Sequence, residues 1–344
     1  MRVLVTGGAG FIGTAVARRL REVGHEPVIF DRAIDRRDDI VDVARLRRTL
    51  PGCGAVIHLA AKVGLGVDLS DLTDYARDND LGTAAVLRAT AEEGIGRLVL
   101  ASSMVVYGEG RGECPDHGIV RGALRSEADL AAGHFESRCP HCARDLAPRT
   151  VSEAAELDPR NSYAATKVQL EQFAAIWARE TGGVAVSLRY HNVYGPGLPR
   201  DTPYAGVAAI FRSALLSGRA PTVYEDGAQR RDLVHVDDVA AATIAALTAD
   251  LPRGRNTALN IGSGVVTTIA EVAQAMATLL GGRPPLITAG YRLGDVRHIT
   301  ADSSAARRLL GWRPRIGLTA GLADLLAETP IGSGARLRPS PGSG

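Results

Sequence analysis

Residues 2–13 read RVLVTGGAGFIG, and this stretch decides the fold. The apolar residues before Thr6 are typical of a short buried strand, and Gly7, Gly10 and Gly13 follow in the order G-x-x-G-x-x-G. Glycines at this spacing let the backbone approach a pyrophosphate closely and seat it at a helix N-terminus. The stretch therefore predicts a strand, a phosphate-binding turn and a helix, which together begin a doubly wound sheet.

Short β-rich runs alternate with helical stretches through the first 193 residues. The further runs that predict strands are EPVIFD, AVIHLAA, RLVLASS and AVSLRYHNV, and those that predict helices are Thr14–Val23, Thr83–Glu93 and NSYAATKVQLEQFAAIWARE at 161–180. Strands separated by helices in this way pair in parallel, with helices on both faces of the sheet. The predicted fold class is therefore α/β, with a doubly wound parallel Rossmann sheet.

Two departures from this alternation divide the chain. Residues 109–150 are rich in Cys, His, Pro, Gly and Arg, which predicts an insertion. After residue 193 the elements shorten, as in a smaller domain that supplies loops over a cleft. We predict a Rossmann domain over 1–193 to which 229–256 returns, a smaller α/β substrate-binding domain over 194–228 and 257–330, and a disordered tail over 331–344.

The amino-acid composition limits which partners and which cellular compartment we expect for the protein. The chain has 344 residues, 45% of them apolar, and a net charge of +2. This balance gives no field that would draw the protein to nucleic acid or to a membrane, and no apolar run approaches the roughly 18 residues of a membrane span. The chain begins without a targeting leader, and its four cysteines do not suggest a disulfide framework. We therefore expect a cytoplasmic protein.

An acidic residue ends the second predicted strand. Asp31 lies where a carboxylate accepts hydrogen bonds from the adenosine ribose hydroxyls and repels a 2′-phosphate, which favours NAD over NADP. Arg32 beside it leaves NADP as an alternative, because an arginine at this place can hold the 2′-phosphate.

Tyr163 and Lys167 stand four residues apart on a predicted helix, so they lie on one face and one turn apart. The serines of LASSMVVYG, residues 100–108, end a strand at the edge where such sheets bind ligands. A free tyrosine has a pKa of about 10 and is a poor base at neutral pH unless positive charge stabilises the phenolate. Lys167 and an oxidised nicotinamide would supply that charge, which makes Tyr163 a candidate general base.

The chain carries the motifs TGGAGFIG, HLAA, NDLGT, SSMVVYG, YAATK, RYHNVYGP, RRDLVHVDDVA and GDVRH…LLGW. Together they resemble the extended short-chain dehydrogenase/reductase family and, within it, the NAD-dependent nucleotide-sugar epimerases and dehydratases. The resemblance covers nearly the whole chain except the insertion and the tail. It implies a catalytic triad of Ser103, Tyr163 and Lys167, a nucleoside-diphosphate sugar as substrate, and a homodimer.

The same resemblance implies contacts to cofactor and substrate. Those to NAD are assigned to Gly7, Gly10, Phe11, Ile12, Gly13, Asp31, Arg32, Asp39, Ile40, Leu59, Ala60, Ala61, Asn79, Tyr163 and Lys167. Those to the substrate are assigned to Ser103 and, for its diphosphate, to Asn192, Arg231 and Arg297. Within these sets Asp39 and Ile40 match the pair that contacts adenine, and Asn79 matches an asparagine near the cofactor.

The residues after Ser103 distinguish the reactions of this family. Dehydratases carry an Asp-Glu pair there and sugar-acid decarboxylases a glutamate, whereas this chain has Met104 and Val105. The resemblance thus implies 4-epimerisation through a transient 4-keto sugar, with dTDP-L-rhamnose or another dTDP- or UDP-hexose as substrate. A nucleotide-sugar reductase or dehydrogenase, and a non-catalytic NAD-binding regulatory protein, remain alternatives. Ile299, aligned with a pocket-narrowing tyrosine of some members, indicates either a roomier pocket or a core position.

The insertion contains two matching segments, CPDHG at 114–118 and CPHCA at 139–143. Each has the spacing of a metal-binding knuckle, and together they offer a Cys3His set of the kind that closes a tetrahedral structural zinc site. An insertion with few large apolar side chains can hardly bury a core, whereas metal binding can contribute on the order of 10 kcal/mol to folding. We therefore predict structural zinc bound by Cys114, His117, Cys139 and Cys142. His134 and His141 remain alternative ligands, and free thiols are the alternative to a metal.

Overall fold

The computed structural model describes residues 1–64, 69–199 and 206–327, so the predicted tail at 331–344 lies outside the described residues. Its strands are β1 (Arg2–Thr6), β2 (Glu26–Phe30), β3 (Cys53–His58), β4 (Arg97–Ser103), β5 (Arg111–Cys114), β6 (Gly118–Val120), β7 (Ala147–Arg149), β8 (Val184–Tyr190), β9 (Asn192–Tyr194), β10 (Thr222–Val223), β11 (Arg230–His235), β12 (Arg255–Ile261), β13 (Val266–Thr268), β14 (Leu286–Ile287) and β15 (His298–Ile299). Its α-helices are α1 (Phe11–Glu22), α2 (Val43–Thr49), α3 (Leu72–Tyr75), α4 (Gly82–Glu92), α5 (Glu127–Ala131), α6 (Ser162–Thr181), α7 (Val207–Leu216), α8 (Val236–Thr248), α9 (Ile269–Leu280), α10 (Ser304–Leu310) and α11 (Leu318–Ala327). None of the helices in the described ranges combines the length and the apolar composition needed to span a bilayer.

The largest sheet has six parallel strands in the order β12-β8-β4-β3-β1-β2. The chain moves from β1 outward to β2 and then crosses to β3 on the other side of β1. This reversal opens a crevice at the carboxyl ends of β1 and β3, which is where doubly wound sheets bind their ligands. The predicted doubly wound parallel Rossmann sheet is confirmed.

Apolar side chains cover both faces of this sheet. On one face α1 and α8 pack over a core that includes Val3 and Val186. On the other face α4 and α6 pack over a core that includes Leu4 and Leu98. Consecutive residues of β1 thus point to opposite faces and are buried on both, as in other all-parallel sheets.

A second, smaller sheet contains β9, β11, β13 and β15, and α7, α9 and α11 pack around Phe211, Met276 and Leu322 beside it. The strand β11 pairs with strands of this small sheet, whereas α8, which follows it, packs against α1. Residues 229–256 were predicted to return to the Rossmann domain. They do so only from α8 onward, because β11 forms its hydrogen bonds with the small sheet.

The edge strand β12 corrects another predicted boundary. It pairs with β8 along its whole length, from Arg255 opposite Val184 to Ile261 opposite Tyr190. The boundary predicted between residues 256 and 257 therefore falls inside a strand of the large sheet. The physical reason is that Leu259 and Ile261 are buried in the main core, which covers the edge of β8.

The insertion is a compact unit between β4 and α6. Its strands form an antiparallel sheet in the order β6-β5-β7, and α5 lies in the long connection between β6 and β7. Its buried apolar cluster is small and consists of Cys114, Cys139 and Leu146. Leu130 and Phe135 of the insertion are also buried, but apolar burial by so few side chains contributes little stability to a unit of this size.

Candidate active site

The turn after β1 is shaped by its glycines. Gly7 has φ +69°, and a Cβ there would lie 2.6 Å from the backbone nitrogen of Ala60. A Cβ on Gly13 would lie 2.1 Å from the carbonyl oxygen of Gly7. Gly10 caps α1 without a side-chain hydrogen bond, so no side chain competes for the first amides of the helix. The turn is thus a cradle of backbone amides, which suits a pyrophosphate.

A cavity of about 690 Å³ opens over this turn and extends to α6 and α7. The predicted cofactor residues on its wall are Gly7, Gly10, Phe11, Ile12, Gly13, Asp31, Arg32, Ile40, Leu59, Ala60, Ala61 and Tyr163. Asn192, predicted to contact the substrate, lies on the same wall. One cavity therefore joins the predicted cofactor site to the predicted general base.

Carboxylates surround Arg32 near the end of β2. Its guanidinium lies 3.2 Å from Asp78 and 3.9 Å from Asp39. Asp31 accepts hydrogen bonds from two backbone amides at 3.0 and 2.9 Å, which fixes its carboxylate beside the glycine turn. A 2′-phosphate at this place would meet three carboxylates and an arginine that is already paired. The electrostatics therefore favour an unphosphorylated ribose.

Asp39 does not lie on the cavity wall as described, and this corrects the predicted adenine contact. Its carboxylate binds Arg77 at 2.6 Å. Burial raises the pKa of Asp39. The hydrogen bond and the charge of Arg77 lower it by more than burial raises it, so the net pKa lies below the usual value. Asp38 and Ile40 line the cavity in this region instead.

Asn79 is also absent from the described wall. Its side-chain amide is buried and bridges the backbone of Lys62, at 2.7 and 3.0 Å, to the hydroxyl of Thr166, at 2.9 Å. The residue therefore ties the loop after β3 to α6. It shapes the cavity without lining it.

Tyr163 and Lys167 lie one turn apart on α6, with the ammonium 5.6 Å from the centre of the tyrosine ring. The Lys167 Nζ donates a hydrogen bond of 2.7 Å to the carbonyl oxygen of Ala101 in β4. Ser103 ends β4, and its hydroxyl oxygen accepts a hydrogen bond from the amide of Val105 at 3.3 Å. The end of β4 and the start of α6 thus bring together the three residues predicted for catalysis.

Burial dominates the titration of the tyrosine and the lysine. It raises the pKa of Tyr163 to about 12, and a hydrogen bond with Ser103 opposes this only in part. It lowers the pKa of Lys167 to about 8, while the Glu171 carboxylate acts in the opposite sense. At pH 7 the tyrosine is therefore a neutral phenol and the lysine is mostly a cation. A further positive charge beside the phenol is needed before Tyr163 can act as a base.

The cavity wall near Tyr163 is poor in acids. Its other described residues there include Met104, His191 and Asn192, and the Asn192 side-chain nitrogen lies 3.5 Å from the Met104 sulfur. The described wall carries three carboxylates, those of Asp31, Asp38 and Asp78. Asp31 and Asp38 lie in the loop after β2, and Asp78 lies in the segment before α4. No described wall residue at the catalytic end is a carboxylic acid.

Ile299 is a core residue. It is 4% exposed and packs in a cluster with Val106, Tyr107 and Val151. The roomier pocket inferred from this position is therefore wrong, and the alternative of a core position is the one that the structure shows.

Arg297 does not face the cavity, which corrects its assignment to the substrate. Its guanidinium is 1% exposed and forms hydrogen bonds with Glu136, Glu225 and Asp226 at 2.6 to 3.0 Å. Three carboxylates leave it no capacity for a phosphate. They also raise its pKa above the usual value against the opposing effect of burial.

Arg231 has different surroundings. It donates hydrogen bonds to the carbonyl oxygens of Arg230, Val296 and Arg297 at 2.6 to 2.9 Å, and no described carboxylate lies within ion-pair distance of it. Burial lowers its pKa below the usual value. Because side chains two apart on a strand share a face, Arg231 points the same way as Leu233, which lines the cavity. Arg231 itself is absent from the described wall, and its guanidinium is held by backbone carbonyl oxygens rather than by carboxylates.

The insertion brings the two knuckle segments together. The ligand atoms of Cys114, His117, Cys139 and Cys142 all lie within 4.8 Å of one another. The Cys114 sulfur lies 3.4 Å from His117 Nδ1 and 3.5 Å from the Cys142 sulfur, and the Cys139 sulfur lies 3.6 Å from His117 Nδ1. A tetrahedral zinc site with Zn–S of about 2.3 Å and Zn–N of about 2.0 Å separates its ligand atoms by roughly 3.5 to 3.8 Å. The donor set therefore fits zinc.

Backbone amides face the sulfurs, as expected for knuckle turns. Burial raises the pKa of Cys114, but hydrogen bonds from His117 and from the amides of Asp116 and His117 bring the net pKa below the usual value. The amides of His141 and Cys142 act in the same way on Cys139. The His141 ring stacks 5.0 Å from the His117 ring, and His141 and His134 are not part of the four-ligand group.

Comparison with known proteins identifies the family to which this fold belongs. A model of the NAD dependent epimerase/dehydratase family matches residues 3–125 and 140–262. The chain belongs to that family. The matched residues include the glycine turn, Ser103, Tyr163 and Lys167, whereas residues 126–139 of the insertion lie outside the match.

Curated and solved relatives are similar over almost their full length. The dTDP-L-rhamnose 4-epimerase of Burkholderia thailandensis is 33% identical over 94% of this chain and 93% of its own. The UDP-glucose 4-epimerase of Mycolicibacterium smegmatis is 30% identical over 94% and 96%. The structure of Thermus thermophilus UDP-glucose 4-epimerase in complex with NAD superposes with a TM-score of 0.73, at 29% identity and over 95% and 98% of the two chains.

Two further residues, one near Arg231 and one on the cavity wall, were not predicted from the sequence. Arg292 is exposed, lies over the ring of Tyr224 at 5.1 Å and has no described carboxylate within ion-pair distance. Burial raises the pKa of Asp295, and both Arg231 and Arg292 lower it, so the two arginines lie near the same carboxylate. The sequence signal was the RLGD run, whose arginine was passed over in favour of Arg297.

His191 is the second missed residue. It is 4% exposed and lines the cavity, and the Asn260 side chain lies close to its ring, although neither ring nitrogen has a hydrogen bond of good geometry with a described residue. Burial lowers its pKa to about 4, so it is neutral at pH 7 and offers one donor and one acceptor to a ligand. Its position between β8 and β9 could have drawn attention, because a polar residue there interrupts an apolar strand.

Proposed function

We propose that this protein is an NAD-dependent nucleotide-sugar 4-epimerase. The observation that carries the proposal is a single cavity that joins the glycine turn to Tyr163, with Lys167 one helical turn away and no carboxylate on the described wall at that end. The cofactor is NAD because carboxylates surround Arg32 where NADP would place its 2′-phosphate. Relatives named as 4-epimerases, and a solved relative in complex with NAD, support both statements.

The chain's own residues supply the proton chemistry. Bound NAD would accept hydride from the sugar C4 and return it to the opposite face. Tyr163 removes the proton of the 4-hydroxyl and later gives it back, while Lys167 holds positive charge beside the phenolate. Ser103 donates a hydrogen bond to the reacting oxygen as it becomes a carbonyl. With Met104 at the position of the dehydratase acid, no carboxylic acid on the described wall lies near Tyr163 to assist elimination of water.

The substrate is a nucleoside-diphosphate hexose, with dTDP-L-rhamnose as the first candidate. The relative at 33% identity over nearly the whole chain carries that name. We assign the diphosphate to Arg231, Arg292 and Asn192. The two arginines are cations without a described carboxylate partner in ion-pair distance, and Asn192 lines the cavity.

The insertion binds one structural zinc ion in this proposal, through Cys114, His117, Cys139 and Cys142. Four ligands fill a tetrahedral site and leave no open position for substrate or water. The distances between the donor atoms support this assignment. Zinc would hold the fold of the insertion and take no part in the transfer of hydride.

We also propose a homodimer formed through the helices on one face of the sheet. Leu81, just before α4, is 55% exposed, and Ile176 on α6 is 47% exposed. Because α4 and α6 pack together, these apolar side chains present one surface that self-association would cover. Light scattering on the purified protein distinguishes a dimer from the 36.1 kDa chain.

The proposed function is tested by incubating the purified protein with a panel of dTDP- and UDP-hexoses and following the products by NMR. We expect an equilibrium mixture of two C4 epimers without added cofactor, because a redox-neutral reaction regenerates its NAD. Tyr163→Phe serves as the matched inactive protein. Net reduction of the sugar that consumes added NADPH, or bound cofactor with no turnover of any sugar, would overturn the proposal.

A further inference from the structure

The insertion is joined to the smaller subdomain by buried charges. Arg297, in the segment before β15, is 1% exposed and binds Glu225 and Asp226 of its own subdomain. It also binds Glu136 of the insertion, at 2.6 Å through Nη2 and 3.0 Å through Nε. A buried guanidinium held by carboxylates from two units favours one relative position of the units, because moving the insertion would break the two hydrogen bonds between Arg297 and Glu136.

The contact is wider than this one pair. Glu136 also accepts a hydrogen bond from His298 at 2.8 Å. Arg125, eleven residues before Glu136 in the insertion, binds Glu225 at 2.8 Å and the carbonyl oxygen of Asp295. The insertion therefore forms hydrogen bonds with both ends of the segment that runs from Asp295 to His298.

The same segment holds an arginine of the cleft. Arg231 donates its hydrogen bonds to the carbonyl oxygens of Val296, at 2.6 Å, and Arg297, at 2.9 Å. The side chain of Arg297 thus points to the insertion, while its carbonyl oxygen orients Arg231. Arg292, which the proposed function also assigns to the diphosphate, lies three residues before Asp295 in the same stretch.

Glu136 is placed to transmit the state of the metal site. It lies three residues before Cys139, and Ser137 between them donates a hydrogen bond of 3.3 Å to Glu109. Glu109 in turn accepts a hydrogen bond from the backbone nitrogen of Arg297 at 3.1 Å. Ordering of the Cys139 knuckle therefore orders the residues that hold Arg297.

We propose that Glu136 and Arg297 are positioning residues through which the metal-bound insertion orients the diphosphate-binding arginines of the cleft. This inference rests on the proposed nucleotide-sugar activity. Loss of the metal or of Glu136 releases segment 295–298, so that Arg231 and Arg292 no longer converge on the diphosphate. The insertion thereby controls the affinity for the nucleotide part of the substrate and leaves the proton chemistry at Tyr163 unchanged.

The test compares Glu136→Gln with Glu127→Gln in the full-length, NAD-loaded protein. Both changes remove one carboxylate of the insertion, but Glu127 is exposed on α5 and has no described ion pair. Calorimetric titration with dTDP and with UDP measures nucleotide affinity. For whichever of dTDP and UDP the parent protein binds more tightly, we expect Glu136→Gln to weaken the affinity by about tenfold. The KM for the nucleotide sugar should rise by about the same factor, and kcat should stay within about twofold of the parent value. Glu127→Gln should match the parent protein.

Hydrogen exchange supplies a readout that does not depend on activity. Peptides covering 291–298 should exchange faster in Glu136→Gln, and also in the parent protein after removal of the metal by a chelator. The two treatments should not add, because both act through the same contact. Metal content should stay at one ion per chain in Glu136→Gln.

The contradicting results are distinct from those that would overturn the function itself. Parent-like nucleotide affinity and exchange in Glu136→Gln, an equal loss in Glu127→Gln, or loss of metal from Glu136→Gln would overturn the inference while leaving the epimerase proposal intact. Failure of the parent protein to epimerise any sugar would overturn the proposed function, and the exchange of 291–298 would still report whether Glu136 controls that segment.

Discussion

Tyr163 lies where burial raises its pKa to about 12. Bringing that pKa to 7 requires about 7 kcal/mol of stabilisation of the phenolate. Lys167 cannot supply all of it, since burial lowers its own pKa to about 8 and its ammonium is 5.6 Å from the ring centre. In the proposed reaction the positive charge of an oxidised nicotinamide would supply the rest, so removal of the proton by Tyr163 would depend on the presence of oxidised cofactor.

Replacing Tyr163 by phenylalanine should lower kcat by at least about a hundredfold, because the general base is lost. NAD should remain bound, since the glycine turn and Asp31 are unchanged. Steady-state kinetics and the ultraviolet spectrum of cofactor released on denaturation check both parts. Near-normal turnover in Tyr163→Phe would show that another residue is the base.

Lys167 should give kcat an alkaline limb. Its pKa is lowered to about 8, so the ammonium is present below that pH and is lost as the pH rises through it. Loss of this charge destabilises the phenolate, so activity should fall above about pH 8. Lys167→Arg keeps its charge throughout this range and should lack the limb, at reduced kcat. An unchanged alkaline limb in Lys167→Arg would assign the titration to a different group.

Single residues also show where sequence reasoning stops. Tyr163 and Lys167 were predictable because their spacing on a helix fixes their relation within one turn. Arg297 was assigned to the diphosphate from its place after GD, but the direction of its side chain depends on Glu136, which is 161 residues away in sequence. No local pattern reports such a contact, and for the same reason Arg292 was passed over.

At the scale of elements, the spacing of Cys and His residues in the sequence predicts the two metal-binding knuckles more clearly than it predicts any other local structure. The last residues of the two segments, Gly118 and Ala143, both adopt the left-handed conformation, with φ of +66° and +58°. The two turns therefore end alike. The small cluster around Leu146 indicates that the metal, and not apolar burial, would stabilise the insertion.

Cys139→Ser should lose the metal and open the insertion. A buried thiolate ligand is removed, and the remaining Cys2His set binds zinc more weakly. We expect less than one zinc per chain by elemental analysis and faster proteolysis within 109–150, with NAD still bound. Cys53→Ser, which changes a cysteine of the large sheet, is the control. Full zinc content in Cys139→Ser would exclude that residue as a ligand.

Strands of the smaller subdomain were harder to predict than those of the large sheet. β1, β3, β4 and β8 are apolar runs between helices, so their parallel pairing follows from their order. β11 looks similar in sequence but pairs with β9, β13 and β15, the last of which has two residues, His298 and Ile299. Pairing with such short, distant strands is set by tertiary packing, which propensity does not contain.

At the scale of the whole molecule, the cavity lies between the carboxyl edge of the large sheet and the smaller subdomain. The glycine turn after β1 and Tyr163 on α6 line it, and in the proposed reaction the smaller subdomain supplies Arg231 and Arg292 for the diphosphate. The insertion leaves the chain after β4 and returns before α6, so its two ends follow Ser103 and precede Tyr163 in sequence.

The central claim is that hydride leaves C4 of the sugar and returns to the same carbon. It is tested most directly by giving the purified protein a dTDP-hexose that carries deuterium at C4, without added cofactor, and recording the NMR spectrum of the product. We expect the C4 epimer with its deuterium retained at C4 and no release of reduced NAD. Exchange of the label with solvent, or its appearance in free reduced cofactor, would contradict it.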